Sequence, residues 1–176
     1  MELLTASFVG ERLANLNAKM LKSAEKLDGI INEYELPKNR KKMYLTISAL
    51  YFLAYNRASQ QESIRFQPAV IAKISHSLSV SLVTGYLDQD PGQNPEVLIE
   101  ELNNLTERLM KVWDSNIDKE PSPHWYVGKE ATFFLQENKT TPSPALVNLF
   151  SELFSMYTIN IKNFLDEVQK RFRVEE

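Results

Sequence analysis

Cysteine is missing from all 176 positions of the chain, which excludes disulfides, thiolate metal sites and thiol catalysis at once. Glycine is scarce, its five residues falling below the usual ~7% share, as suits a helical chain with few tight turns. No Gly-rich phosphate loop, GxSxG elbow or Walker lysine occurs. Histidine is limited to His76 and His124. Neither has a carboxylate three residues before it, and helical di-iron sites need a Glu-x-x-His pair from each of two helices, so that chemistry is set aside. A zinc site would have to join these two histidines to distant carboxylates, which their spacing does not suggest. Asp88, Asp90, Glu100 and Glu101 lack the dense acidic spacing of a calcium loop and read as solvated turn and helix-surface charges. No metal or other cofactor is expected. Ser75 and Ser77 flank His76, but neighbouring positions on a helix point in different directions, so the group reads as surface and not as a catalytic dyad.

The composition does not indicate a membrane class either. The most apolar stretch, Met43 to Tyr55, has about 13 residues where a bilayer needs ~20, so no membrane insertion is expected. The opening MELLTASFVGERL lacks the basic start, apolar stretch and small-residue cleavage site of a secretory signal, which favours a cytoplasmic location.

What is present is an ordinary globular composition, 43% apolar and 24% charged, in a length suited to one domain spanning 1–176. Charge is unevenly spread, because the first half carries a basic excess and the second an acidic one. Such halves attract one another within a bundle or between subunits.

The run MYLTISALYFLAY has no polar face. A helix apolar all round must be enclosed, and at this length the enclosure is other helices, so it is expected to be a central core helix running on to about Ser59. Ahead of it, Val9, Leu13, Leu16, Met20, Ala24, Leu27, Ile31 and Tyr34 recur at steps of three and four, a helical stripe about seven turns long that Pro37 ends. Gly10 and Gly29 each cost a helix up to ~1 kcal/mol relative to Ala, so fraying before Gly10 or a bend near Gly29 is expected.

Pro68 suits the first turn of a third helix with Ile71, Ile74, Leu78, Leu82 and Tyr86 as its buried stripe. The alternation of Ser75, Ser77, Ser79 and Ser81 with apolar residues also fits a strand. Helix is preferred because a lone strand has no partner for its backbone groups. Asn94 and Pro95 open a fourth helix carrying Leu98, Leu102, Leu105, Leu109 and Val112. From about 115 to 143 the pattern breaks into an irregular Pro-containing connection, in which Tyr126 to Glu137 suits a short helix or an extended segment. Ser143 and Pro144 then start a last long helix with Leu146, Phe150, Leu153, Tyr157, Ile161, Phe164, Val168 and Phe172.

Three groups qualify as candidate sites. Tyr44, Ser48, Tyr51 and Tyr55 share one side of the central helix. Their phenols need hydrogen-bond partners, which are either neighbouring backbone or a ligand. His124, Trp125 and Tyr126 in PSPHWY bring a titratable ring and two large aromatics into an expected loop, as a ligand mouth, a docking surface or simply a lid on the bundle. Lys38, Arg40, Lys41 and Lys42 set positive charge against a helix N-terminus, which calls for compensation by an acidic surface, an anionic ligand or a nucleic-acid backbone.

The expected fold is therefore all-α, a single-domain bundle of five or six helices with long N- and C-terminal helices around a buried second helix. The expected function is a non-enzymatic interaction or assembly module, self-associating or bound to a protein partner. The alternative is a helical sensor or carrier of a small apolar or aromatic ligand beside the tyrosine face. A nucleic-acid accessory role through 38–42 ranks third, because the chain is acidic overall and the basic tract has no interleaved aromatics.

Overall fold

The computed structural model describes residues 2–21, 29, 39–88, 90–136 and 141–176. Among these residues it is an all-α bundle of six helices with one short two-stranded parallel sheet. In chain order the elements are β1 (Glu2–Thr5), α1 (Ala6–Leu21), α2 (Arg40–Ser59), α3 (Pro68–Leu87), α4 (Pro95–Asp114), α5 (Pro123–Leu135), α6 (Pro144–Arg171) and β2 (Phe172–Glu175).

The apolar run forms α2. Asn39 caps it, its Oδ1 accepting from the Lys42 N–H at 3.0 Å, and every residue from Met43 to Tyr55 is buried. Four helices, α3, α4, α5 and α6, surround it, so a helix without a polar face gives no apolar face to water.

Helix α1 lies along α3. It begins at Ala6, ahead of Gly10, and does not fray before that glycine. A Cβ on Gly10 would stand 2.7 Å from the Ile74 carbonyl oxygen, so the bare backbone is what lets the two helices touch. Val9 and Leu13 are buried as the stripe requires, but Leu16 is 42% exposed. The later stripe residues Ala24, Leu27, Ile31 and Tyr34, and the stop at Pro37, lie outside the described residues.

Helix α3 settles the serine alternation in favour of helix, since its hydroxyls bond to helical backbone: Ser77 Oγ donates to the Ser7 carbonyl of α1 at 2.8 Å and Ser79 Oγ to the His76 carbonyl at 2.9 Å. Val70 is the buried first member of its stripe, with Ile71 only half-buried, one position away from the expected register. The helix has the length and mean hydropathy to cross a membrane by composition, and in the bundle it buries Val70, Ile74, Leu78, Leu82, Val83 and Tyr86.

Helix α4 opens as expected, Asn94 Oδ1 accepting from the Glu96 N–H at 2.9 Å, and buries Leu98, Leu102, Leu105 and Leu109. Two ion pairs join it to α2, Lys41 with Glu101 at 2.7 Å and Arg57 with Asp114 at 2.6 Å. Both couple a cation of the basic half to an anion of the acidic half.

The expected irregular connection at 115–143 contains a helix. Ser122 and Pro123 start α5, three residues earlier than Tyr126, so His124, Trp125 and Tyr126 sit on its first turn and not in a loop. Hydrophobic periodicity is hard to see there because the buried face of Val127, Gly128, Ala131, Thr132 and Leu135 has three small residues at its centre, which carry little hydrophobic signal. A Cβ on Gly128 would fall 2.5 Å from the Val147 carbonyl oxygen and 2.8 Å from the Ser151 nitrogen, so α5 rests directly on α6.

Helix α6 runs 28 residues and ends at Arg171, which takes Phe172 out of the expected helical stripe. Phe172 is extended (φ −129, ψ 149) and begins β2, which pairs parallel with β1 in the register Leu3 with Arg173 and Leu4 with Val174. Only tertiary contact brings these two short segments together, which is why neither had a periodic signal.

Candidate functional site

The tyrosine side of α2 does not converge on one place. Tyr44 Oη donates to the Leu82 carbonyl at 2.7 Å, Tyr51 Oη to the Leu13 carbonyl at 2.9 Å and Tyr55 Oη to the Ile71 carbonyl at 2.9 Å. Two phenols thus tie α2 to α3 and one ties it to α1. Their rings are enclosed by other aromatics: Tyr44 lies 5.0 Å from Tyr86 and Tyr51 meets Tyr157 edge-on at 4.8 Å. Burial raises the Tyr44 phenol to about 12, the nearby Ser48 hydroxyl offsetting part of that rise, and burial also pushes Tyr51 and Tyr55 well above the ordinary tyrosine value. Tyr157 donates to Asn17 Oδ1 at 3.3 Å, while the Nδ2 of this fully buried asparagine has no hydrogen-bond partner among the described residues.

The aromatic triplet at the start of α5 is divided as well. His124 packs between Trp113 of α4 and Phe154 of α6, with ring centres at 4.9 and 5.2 Å. Trp125 and Tyr126 meet edge-on at 5.2 Å, Lys129 lies over the Trp125 ring, and Tyr126 Oη donates to the Glu120 carbonyl at 2.8 Å. Half-burial among apolar rings disfavours the imidazolium and lowers the His124 pKa. In the unfolded chain His124 takes up its proton near its ordinary value of 6.5, before the folded chain does. The stability its neutral form contributes is therefore present above 6.5 and lost as pH falls below it. Thermal melts are expected to show a melting temperature that declines from pH 6.5 towards the carboxylate range, and His124→Phe should remove that part of the decline.

Among the basic residues, Lys38 lies outside the described ones, and Arg40 is exposed on the first turn of α2. Lys41 is held by Glu101, and the Lys42 ammonium stands over the Phe134 ring at 5.7 Å. They border a 410 Å³ cleft whose other charged member, Arg108, is paired with Glu130. Lys41 of the tract and Arg108 beside it are thus compensated by carboxylates of the acidic half of the same chain.

Two further surfaces have little signature in the sequence. One is a 490 Å³ mostly apolar groove between α1 and α6, where Leu4, Phe8, Leu16, Phe164 and Phe172 are joined by the polar Arg12 and Asn15. Phe8 is 38% exposed, with the Arg12 guanidinium over its ring at 4.9 Å. The available signal was Phe8 itself, a large aromatic one position off the Val9–Leu13 stripe. The other surface is a cleft along β2. Among the described residues no group of three or more His, Asp or Glu side chains is placed to hold a metal ion. No family model matches the chain, and no curated protein or solved structure is significantly similar to it.

Proposed function

We propose that this chain is a non-enzymatic interaction module that associates with itself through the α1–α6 surface. The observation that carries the reading is the apolar groove with Phe8 and Leu16 at its edge. Apolar surface left in water forgoes about 25 cal/mol per Å² on burial, so a contiguous groove of aromatic and aliphatic side chains favours being covered. Met156 and Ile159 extend the exposed apolar character of α6. Less supports a ligand carrier, because the phenols that would hold the ligand donate to backbone carbonyls. A nucleic-acid role is weakened in the same way by the Lys41–Glu101 pair.

Sedimentation velocity across a concentration series tests the proposal. The wild-type chain is expected to pass from monomer to dimer, and Leu16→Glu or Phe8→Glu to remain monomeric with an unchanged helical circular dichroism spectrum. A wild-type monomer at every soluble concentration would refute it.

A further inference from the structure

The parallel pair β1–β2 is the only sheet among the described residues, and within them each strand pairs along one edge only. Parallel strands normally sit in sheets covered on both faces, and two strands alone are marginal in water. A 660 Å³ cleft lies against β2 and touches Phe172, Arg173, Val174 and Glu175 in succession, but no residue of β1. Successive side chains of a strand point to opposite faces, so a cleft that meets all four runs along the strand's edge, on the side away from β1. The segment Arg65–Gln67 also bounds it and is held in place by Gln169. The Gln169 Oε1 accepts from the Arg65 N–H at 3.0 Å, and its Nε2 donates to the Ser63 carbonyl at 2.6 Å.

The side chains on this edge complement themselves. Arg173 and Glu175 are both exposed, two residues apart on one face, and Arg173 Nε lies 3.2 Å from Glu175 Oε1. Lay a second β2 antiparallel to the first in a register centred on Val174. Arg173 of each copy then stands opposite Glu175 of the other, and Val174 opposite Val174. A parallel in-register pairing would instead set arginine against arginine and glutamate against glutamate, which opposed strands disfavour.

We propose that β2 is a dimerisation edge, at which two copies of this chain join antiparallel about a twofold axis into a four-stranded sheet. The proposal rests on the self-association reading: Phe172 lines both this cleft and the α1–α6 groove, so the two patches adjoin as one contact surface, and the strand edge sets its register. An isologous contact of this kind uses each charge pair twice. Its small area places it among weak, reversible interfaces.

Sedimentation equilibrium on the full chain with two charge reversals provides the test. Arg173→Glu and Glu175→Arg each oppose like charges twice across the axis, and each is expected to raise the dimer dissociation constant roughly tenfold or more. Mixed in equal amounts, the two variants again oppose unlike charges at every position, so the mixture should recover wild-type affinity. Both sites are exposed, and thermal melts should show both variants folded. Single variants that dimerise like the wild type overturn the register, and so does a mixture that stays monomeric. If in either case Leu16→Glu still abolishes association, the self-association reading survives and the strand edge falls. A wild-type chain that stays monomeric overturns both, including when the edge proves to take an extended peptide from another protein.

Discussion

Gly128→Ala is expected to lower the stability of this protein by about 2 kcal/mol, even though alanine is the better helix former. In an exposed helix the exchange would gain up to ~1 kcal/mol. Here the added methyl meets the Val147 carbonyl oxygen at 2.5 Å and the Ser151 nitrogen at 2.8 Å. Both are backbone atoms, and no side chain can rotate away to relieve the contact. Helix α5 must move off α6, and overpacking of this sort costs about 1–3 kcal/mol and occasionally more. For a chain of this length, 2 kcal/mol corresponds to a fall of roughly 4–8 °C in melting temperature. Gly128→Val should exceed that. Gly10→Ala probes the α1–α3 crossing by the same logic, its Cβ falling 2.7 Å from the Ile74 carbonyl oxygen and 2.9 Å from the Leu78 nitrogen. Urea titration measures both. Unchanged or raised stability in Gly128→Ala would mean that the two helices sit further apart than described.

Tyr55→Ala should cost more, about 3–5 kcal/mol, the range for emptying a large aromatic site in a core. The side chain is fully buried, its ring is stacked with Phe52 at 6.4 Å, and its hydroxyl reaches the Ile71 carbonyl. Tyr55→Phe keeps the ring and removes only the hydroxyl. It should cost about 1 kcal/mol, the net worth of one hydrogen bond, because the carbonyl left behind lies within α3. Paired urea unfolding curves of the two variants separate packing from hydrogen bonding. The same contrast at Tyr51 tests the tyrosine face directly. Loss of stability on removing its hydroxyl assigns the phenol to the Leu13 carbonyl that holds α1 to α2, whereas loss of binding to a small aromatic probe without loss of stability would favour the carrier reading.

Much of the bundle was legible because it follows from periodicity and local chemistry. The run from Met43 to Tyr55 can only be a surrounded helix, and Asn94 with Pro95 or Ser143 with Pro144 mark entries whose geometry depends on a few adjacent residues. Helix α5 was only half visible. Between Val127 and Leu135 its buried face is Gly128, Ala131 and Thr132, and the small residues that allow close approach carry little hydrophobic signal. The candidate site fared differently. The side of α2 that carries Tyr44, Tyr51 and Tyr55 could be read from a spacing of 3.6 residues per turn, but the destinations of their hydroxyls could not. The acceptors are carbonyls of Leu82, Leu13 and Ile71, which every residue possesses and no side-chain pattern announces.

The sequence by itself determined the second and fourth described helices and the start of the last, that the second is enclosed, and that basic and acidic halves would seek one another, since these follow from composition and from contacts within a few turns. Only the tertiary structure decided which carbonyls receive the phenols and that Glu101 and Asp114 receive Lys41 and Arg57. It also decided that two four-residue segments from opposite ends of the described chain meet as a parallel pair. These outcomes depend on where distant backbone lies in space. A strand of four residues has too few positions for its alternation to declare itself until a partner is beside it.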